Sequence, residues 1–202
     1  MKKYITEFIG TFFLVFIIVM TGTPIVIGAV LMVMVYAGGH ISGAHYNPAV
    51  TFAVLLRRKI STYEAIIYMI VQIIAAVVAA LIANWLIGNP DGLPKSLDDN
   101  TIEALVAELL GTFALAYVVL NVATSKGTTG NSFYGLAIGF TVFAFAAGVG
   151  SISGGAFNPA VAIGVTAIKL FALKNIWIYL IACFGGAVLA AFVFKTTNPE
   201  DN

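Results

Sequence analysis

Six apolar runs, at about residues 4–20, 24–39, 63–87, 104–122, 133–149 and 176–194, constrain this chain more than anything else in it. Each approaches the roughly 20 residues a helix needs to cross a bilayer core of about 30 Å. Together they take up most of the 202 residues, so no separate soluble domain fits beside them. Only 9% of residues are charged and 60% are hydrophobic, whereas a soluble domain carries about 25% charged residues to cover its surface. The expected neighbour of this surface is membrane lipid.

Two further apolar segments, at about 40–56 and 151–168, open on glycine-rich stretches and contain a proline each. They are too broken to be ordinary spans. Irregular backbone at membrane depth is tolerated only where protein covers it or it lines a wet cavity. Both segments therefore read as re-entrant loops followed by half-helices. No short polar stop or small-residue cleavage pattern separates the first run from the second, so no cleavable signal peptide is expected.

Ten Lys and Arg stand against nine Asp and Glu, a net charge of +1 that excludes nucleic acid as a partner. Their placement says more. With the N-terminus inside, Lys2, Lys3, Arg57, Arg58, Lys59, Lys126 and Lys195 are cytoplasmic, and Lys95, Lys169 and Lys174 are outside. The positive-inside rule favours that orientation, with both termini cytoplasmic and the acidic loop of Asp91, Asp98, Asp99 and Glu103 outward. The Arg57-Arg58-Lys59 cluster reads first as a topology anchor, ahead of lipid recognition. Cys183 is the single cysteine, which excludes an intrachain disulfide and suits a small core residue.

The chain repeats itself. Glu7, Gly10, Thr11, Phe12 and Leu14 recur as Glu108, Gly111, Thr112, Phe113 and Leu115, at an offset of 101. Ile41-Ser42-Gly43 and Asn47-Pro48-Ala49-Val50 recur as Ile152-Ser153-Gly154 and Asn158-Pro159-Ala160-Val161, at an offset of 111. The longer Ala123 to Ser132 connection, against Thr21 to Thr23, absorbs the difference. One membrane domain over 1–202 follows, with repeats at about 1–90 and 101–202. Three spans per half make the second half inverted, an arrangement that places a site near the midplane at the ends of discontinuous helices. Asn is a favoured N-cap, and proline suits the first helical position. Two half-helices meeting end to end would bring Asn47 and Asn158 together, with both positive dipole ends facing one point.

In these features, and in His40, His45 and Gln72, the chain resembles the aquaporin, or major intrinsic protein, family, as a divergent prokaryotic-type member. The resemblance covers nearly the whole chain. It implies an all-α membrane fold of six spans and two half-helices in an inverted repeat, a homotetramer, and a plasma-membrane location. It also implies a passive channel whose two asparagine amides donate to the permeating molecule. Backbone carbonyls of Gly43, Ala44, His45 and Tyr46, and of Gly154, Ala156 and Phe157, would supply acceptors. Glu7, Glu108 and His40 would support the loops. The family's outer selectivity filter maps by spacing onto Ile27, Ala146, Gly155 and Val161. Val161 stands where the family usually has arginine, so this filter is expected to be wide and apolar.

The expected cargo is water with small uncharged polar solutes: glycerol, urea, ammonia, hydrogen peroxide or metalloid hydroxides. Ala162, where glycerol-type members usually carry Asp, and Tyr179-Leu180, which mixes two types, do not decide among them. A strict water channel remains an alternative. So does an inverted-repeat secondary transporter, which would need ion-coupling groups at the midplane. Glu7 and Glu108 could relay protons, but their symmetry favours accepting from loop N–H groups. Two histidines without Cys or carboxylate neighbours make a poor metal site. No catalytic constellation is present, so neither an enzyme nor a cofactor is expected.

Overall fold

The computed structural model describes residues 1–88 and 94–201; Asp91 of the acidic loop, and the end of the first repeat near residue 90, lie outside them. Eight α-helices follow in order: α1 Lys2–Thr21, α2 Pro24–Ser42, α3 Pro48–Leu56, α4 Thr62–Leu86, α5 Thr101–Thr124, α6 Tyr134–Ser153, α7 Pro159–Ala167 and α8 Ile176–Thr197. Among the described residues, six of these helices are long and apolar enough to cross a membrane. The other two, α3 and α7, have nine residues each.

Packing follows the repeat. Helix α1 lies against α4 as α5 lies against α8, and α4 covers α7 as α8 covers α3. Helices α2 and α6 pair with each other across the pseudo-twofold axis. Their crossing has no room for side chains at its centre. A Cβ on Gly139 would sit 2.4 Å from the Gly28 carbonyl oxygen, and one on Gly28 would sit 2.6 Å from that of Gly139. Ile5, Ile9, Ile66, Ile70, Ile74, Leu81 and Phe192 turn outward, the surface expected to meet lipid.

The helices before the loops run further than the sequence suggests. Spans expected to end at 39 and 149 continue to Ser42 and Ser153, so His40 and Ile41 of α2 and Gly150 to Ile152 of α6 are helical as well. Glycine lowers helix propensity but does not stop a helix held by its neighbours. The breaks come where the backbone turns left-handed, at Gly43 (φ 87°) and Gly154 (φ 104°). Ala44, Tyr46, Gly155 and Phe157 are left-handed too, at matching repeat positions. For a non-glycine residue that conformation costs roughly 1–2 kcal/mol.

Two buried carboxylates hold the loops in this shape. Glu7 Oε1 accepts from the Ser42 hydroxyl at 2.7 Å and the His45 N–H at 2.9 Å. Its Oε2 accepts from the Tyr46 N–H at 2.7 Å and from Gln72 Nε2 at 2.9 Å. Glu108 does the same for Ser153, Ala156 and Phe157, at 2.6, 2.9 and 2.7 Å. In place of Gln72 its Oε2 faces Cys183 Sγ at 3.9 Å. His40, grouped with these acids in the sequence, is exposed on the last turn of α2 and joins none of these bonds.

The rings of Tyr46 and Phe157 turn away from the loops into notches at Gly10 and Gly111, where a Cβ would lie 2.2 and 2.3 Å from them. Tyr68 donates to the Ser42 carbonyl and Tyr179 to that of Ser153, closing each loop against α4 and α8.

Two variants test these supports. Gly139→Ala is expected to destabilise the protein by about 1–3 kcal/mol through overpacking, read as a lower midpoint of unfolding in detergent. Glu108→Gln turns an amide donor toward the Phe157 N–H. It should cost about 1.5–3 kcal/mol, the worth of one charge-assisted hydrogen bond. An unchanged midpoint in Glu108→Gln would mean that the loop is held by something else.

Candidate functional site

Each re-entrant loop delivers its chain to an asparagine in extended conformation. Asn47 has φ −158° and Asn158 has φ −159°. The side-chain oxygen of each caps its own half-helix: Asn47 Oδ1 accepts from Ala49 N at 2.8 Å and Val50 N at 3.4 Å. Asn158 Oδ1 accepts from Ala160 N and Val161 N at 2.9 and 3.4 Å. Pro48 and Pro159 hold the first helical positions, which need no N–H. An N-cap of this kind contributes about 1 kcal/mol.

The nitrogens cross. Asn47 Nδ2 donates to the Phe157 carbonyl and Asn158 Nδ2 to the Tyr46 carbonyl, both at 2.9 Å. The two loops are thus stitched together at their tips. The last carbonyl of each is already engaged within the protein, which the sequence pattern alone does not reveal. Each amide nitrogen carries two hydrogens, so one donor per asparagine remains for another acceptor. Both asparagines are 3% exposed and line a narrow central lumen.

That lumen is built from repeat partners: Leu14 and Leu115, Ile18 and Val119, Ile27 and Ile138, Leu31 and Val142. Ala44 and Gly155, His45 and Ala156, Asn47 and Asn158, and Val50 and Val161 complete the pairs, with Tyr46 alone beside them. Most of these aliphatic positions escape a motif search. The signal that finds them is the repeat itself, because an apolar residue recurs at an offset of 101 for Leu14 and Ile18 and of 111 for the rest. The free volume inside the lining is about 20 Å³. About 10–15 Å³ of such space holds one water, so the space admits one or two waters.

Of the four filter positions, Ile27, Gly155 and Val161 line this lumen. Ala146 stands beside them, its Cα 3.6 Å from where a Cβ on Gly155 would be. None of the four carries a side-chain donor or acceptor. Gly43 and Gly154 lie at the loop entrances, off the central lining. Lining residues include no Asp, Glu, Lys or Arg, and His45 is the one titratable imidazole. Its Nδ1 is 3.1 Å from Thr51 Oγ1, which also accepts from Gln72 Nε2 at 3.0 Å. Among the described residues no cluster of His, Cys, Asp and Glu suits a metal.

The two mouths differ. On the face that carries Ile168 to Asn175, Lys95 pairs its backbone with Leu170 and Ala172, and its ammonium donates to the Ser151 carbonyl at 2.8 Å. Partial burial pulls the Lys95 pKa below its ordinary value. The Phe171 ring lies over Gly154 and stacks on Tyr179 at 4.9 Å. The opposite face gathers Arg57, Arg58, Lys59, Lys126 and Lys195 around Asp201.

Comparison with known proteins agrees with this architecture. The family model described as major intrinsic protein matches residues 1–194. Glycerol uptake facilitator protein-like 6 of Lactiplantibacillus plantarum is 38% identical over 221 aligned positions, covering 100% of both chains. Nodulin-26 of Glycine max is 33% identical, over 100% of this chain and 79% of its own. The X-ray structure of the aquaglyceroporin from Plasmodium falciparum aligns with a TM-score of 0.80 over 99% of this chain and 98% of that one. At 23% identity that likeness concerns the fold alone. Matched along nearly its whole length, the chain belongs to the major intrinsic protein family.

Proposed function

We propose that the chain is a passive membrane channel for water and small uncharged polar solutes, passing them in single file without chemical change. The observation that carries this is the lumen: an aliphatic tube interrupted at mid-depth by two asparagine donors. An apolar wall offers no binding site deep enough to trap a molecule. The amides and loop carbonyls replace part of its hydration. A water oxygen that accepts from both Asn47 and Asn158 has no lone pair left for its neighbour in the file, so a proton wire is broken there. The two half-helix dipoles add positive potential at the same point.

Ile27, Ala146, Gly155 and Val161 form the outer filter in this reading. Their donor-free side chains admit solutes larger than water and leave the Gly155 backbone to hydrogen-bond them. The name of the Lactiplantibacillus relative, a glycerol uptake facilitator-like protein, points the same way. A coupled transporter would need an ionisable group at mid-depth, and the lining offers only His45, already bonded to Thr51. The assembly is proposed to be a tetramer in the cell membrane. The face bearing Arg57, Lys126 and Lys195 is cytoplasmic, as the positive-inside rule requires.

Stopped-flow shrinkage of proteoliposomes tests the reading directly. Water efflux should exceed that of empty vesicles, and glycerol or urea used as osmolyte should re-enter within the same trace. Accumulation of solute against its own gradient would sink the channel reading. Val161→Arg should cut solute entry by tenfold or more, since a filled filter excludes bulk; water flux should persist. Unchanged solute rates in Val161→Arg would put the constriction elsewhere. Proton flux under an imposed pH gradient should stay at the level of empty vesicles in the wild type.

A further inference from the structure

The basic face contains a pocket of about 470 Å³ lined, among the described residues, by Arg57, Arg58, Lys59, Lys126, Lys195 and Asp201, five cations around one carboxylate. A topology anchor needs charges in water near the headgroups. Arg57 is not of that kind. Only 5% of it is exposed, its guanidinium lies 4.8 Å above the Phe194 ring, and Nε and Nη2 have no hydrogen-bond acceptor among the described residues. Its counter-charge, Asp201 Oδ2, is 3.8 Å from Nη2, too far for a hydrogen bond. A buried guanidinium with two idle donors is costly unless something else accepts from it.

Local folding does not explain these charges. In the repeat, Arg57, Arg58 and Lys59 correspond to Ile168, Lys169 and Leu170. Both triplets leave their half-helix by the same path: Arg58 and Lys169 have φ 60° and 61°, and the third residue of each bonds back to Val54 or Val165. That path therefore needs neither Arg57 nor Lys59. The other wall is the long connection between α5 and α6, which the first half lacks. There the Lys126 N–H donates to both oxygens of Asp201 at 3.1 Å, and Lys126 Nζ to the Glu200 carbonyl at 2.7 Å. Asp201 thus stands where an anion would sit beside the Arg57 fork, whose Nε and Nη2 are buried.

We propose that this pocket binds a phosphate group that displaces Asp201, an internal competitor, and takes Arg57 Nε and Nη2 as bidentate donors, with Arg58, Lys59 and Lys195 as neighbouring cations. Planar guanidinium forks match phosphate oxygens in pairs, and a phosphate carries enough charge to answer several cations at once. Such a group reaches this face as the headgroup of an anionic phospholipid or as a free phosphate.

The test is the unfolding midpoint of the full chain in detergent, titrated in two arms. One arm adds sodium phosphate against sodium chloride at equal ionic strength; the other adds phosphatidylglycerol against phosphatidylcholine in mixed micelles. A saturable rise with phosphatidylglycerol alone assigns the site to a lipid headgroup, and a rise with inorganic phosphate assigns it to a soluble anion. Asp201→Asn should tighten the response about tenfold (~1.4 kcal/mol), while Arg57→Gln should abolish it. If Arg57→Gln does not fold, the double variant Arg58→Gln/Lys59→Gln should weaken the response by tenfold or more. Equal responses to phosphate and chloride together with equal responses to the two lipids overturn the site. So does a response that Asp201→Asn leaves unchanged.

Discussion

A peptide N–H that leaves its helix inside a bilayer core has no water to turn to, and an unsatisfied group there costs several kcal/mol. The structure meets this constraint with two ionisable side chains placed where hydropathy alone would forbid them. Glu7 and Glu108 each accept from two loop N–H groups and one serine. With the loop N–H groups held by the acid, the last carbonyl of each loop meets the asparagine of the other. The left-handed residues, the rings seated at Gly10 and Gly111, and the delivery of Asn47 and Asn158 to mid-depth all depend on that arrangement.

The two halves share this framework but secure it differently. On the basic side the carboxylate joins a polar chain through Gln72, Thr51 and His45. The equivalent positions on the other side are Cys183, Ala162 and Ala156, and the polar chain is absent. Aromatic packing takes its place, with Phe171 stacked on Tyr179 above Gly154. Beyond the bonds both carboxylates make, one mouth adds a side-chain hydrogen-bond chain and the other adds ring contacts and the Lys95 tether to Ser151.

Much of this was legible in the sequence. Span number, the inverted repeat, the capping role of the two asparagines and the likeness of the two acids follow from hydropathy, spacing and capping chemistry. The last turns, His40 to Ser42 and Gly150 to Ser153, were not legible, because a glycine-rich stretch lowers helix propensity without ending the helix. The crossed bonds from Asn47 to Phe157 and from Asn158 to Tyr46 join residues more than a hundred positions apart, and no local pattern encodes them. The Arg57 and Asp201 pair is equally distant, and the charge tally alone reads Arg57 as an exposed anchor. His40 shows the reverse error: the family resemblance implied a role in the loop, yet His40 is exposed on the last turn of α2.

The lumen lining comes almost wholly in repeat pairs, so a molecule meets nearly the same order of side chains from either mouth. Such a passage has no built-in forward direction. Leu14 is answered by Leu115 and Ile27 by Ile138, and neither end of the tube is chemically the entrance. Any rectification must arise where the pairing fails: His45 against Ala156, the Lys95 tether on one side, and the arginine and lysine cluster on the other.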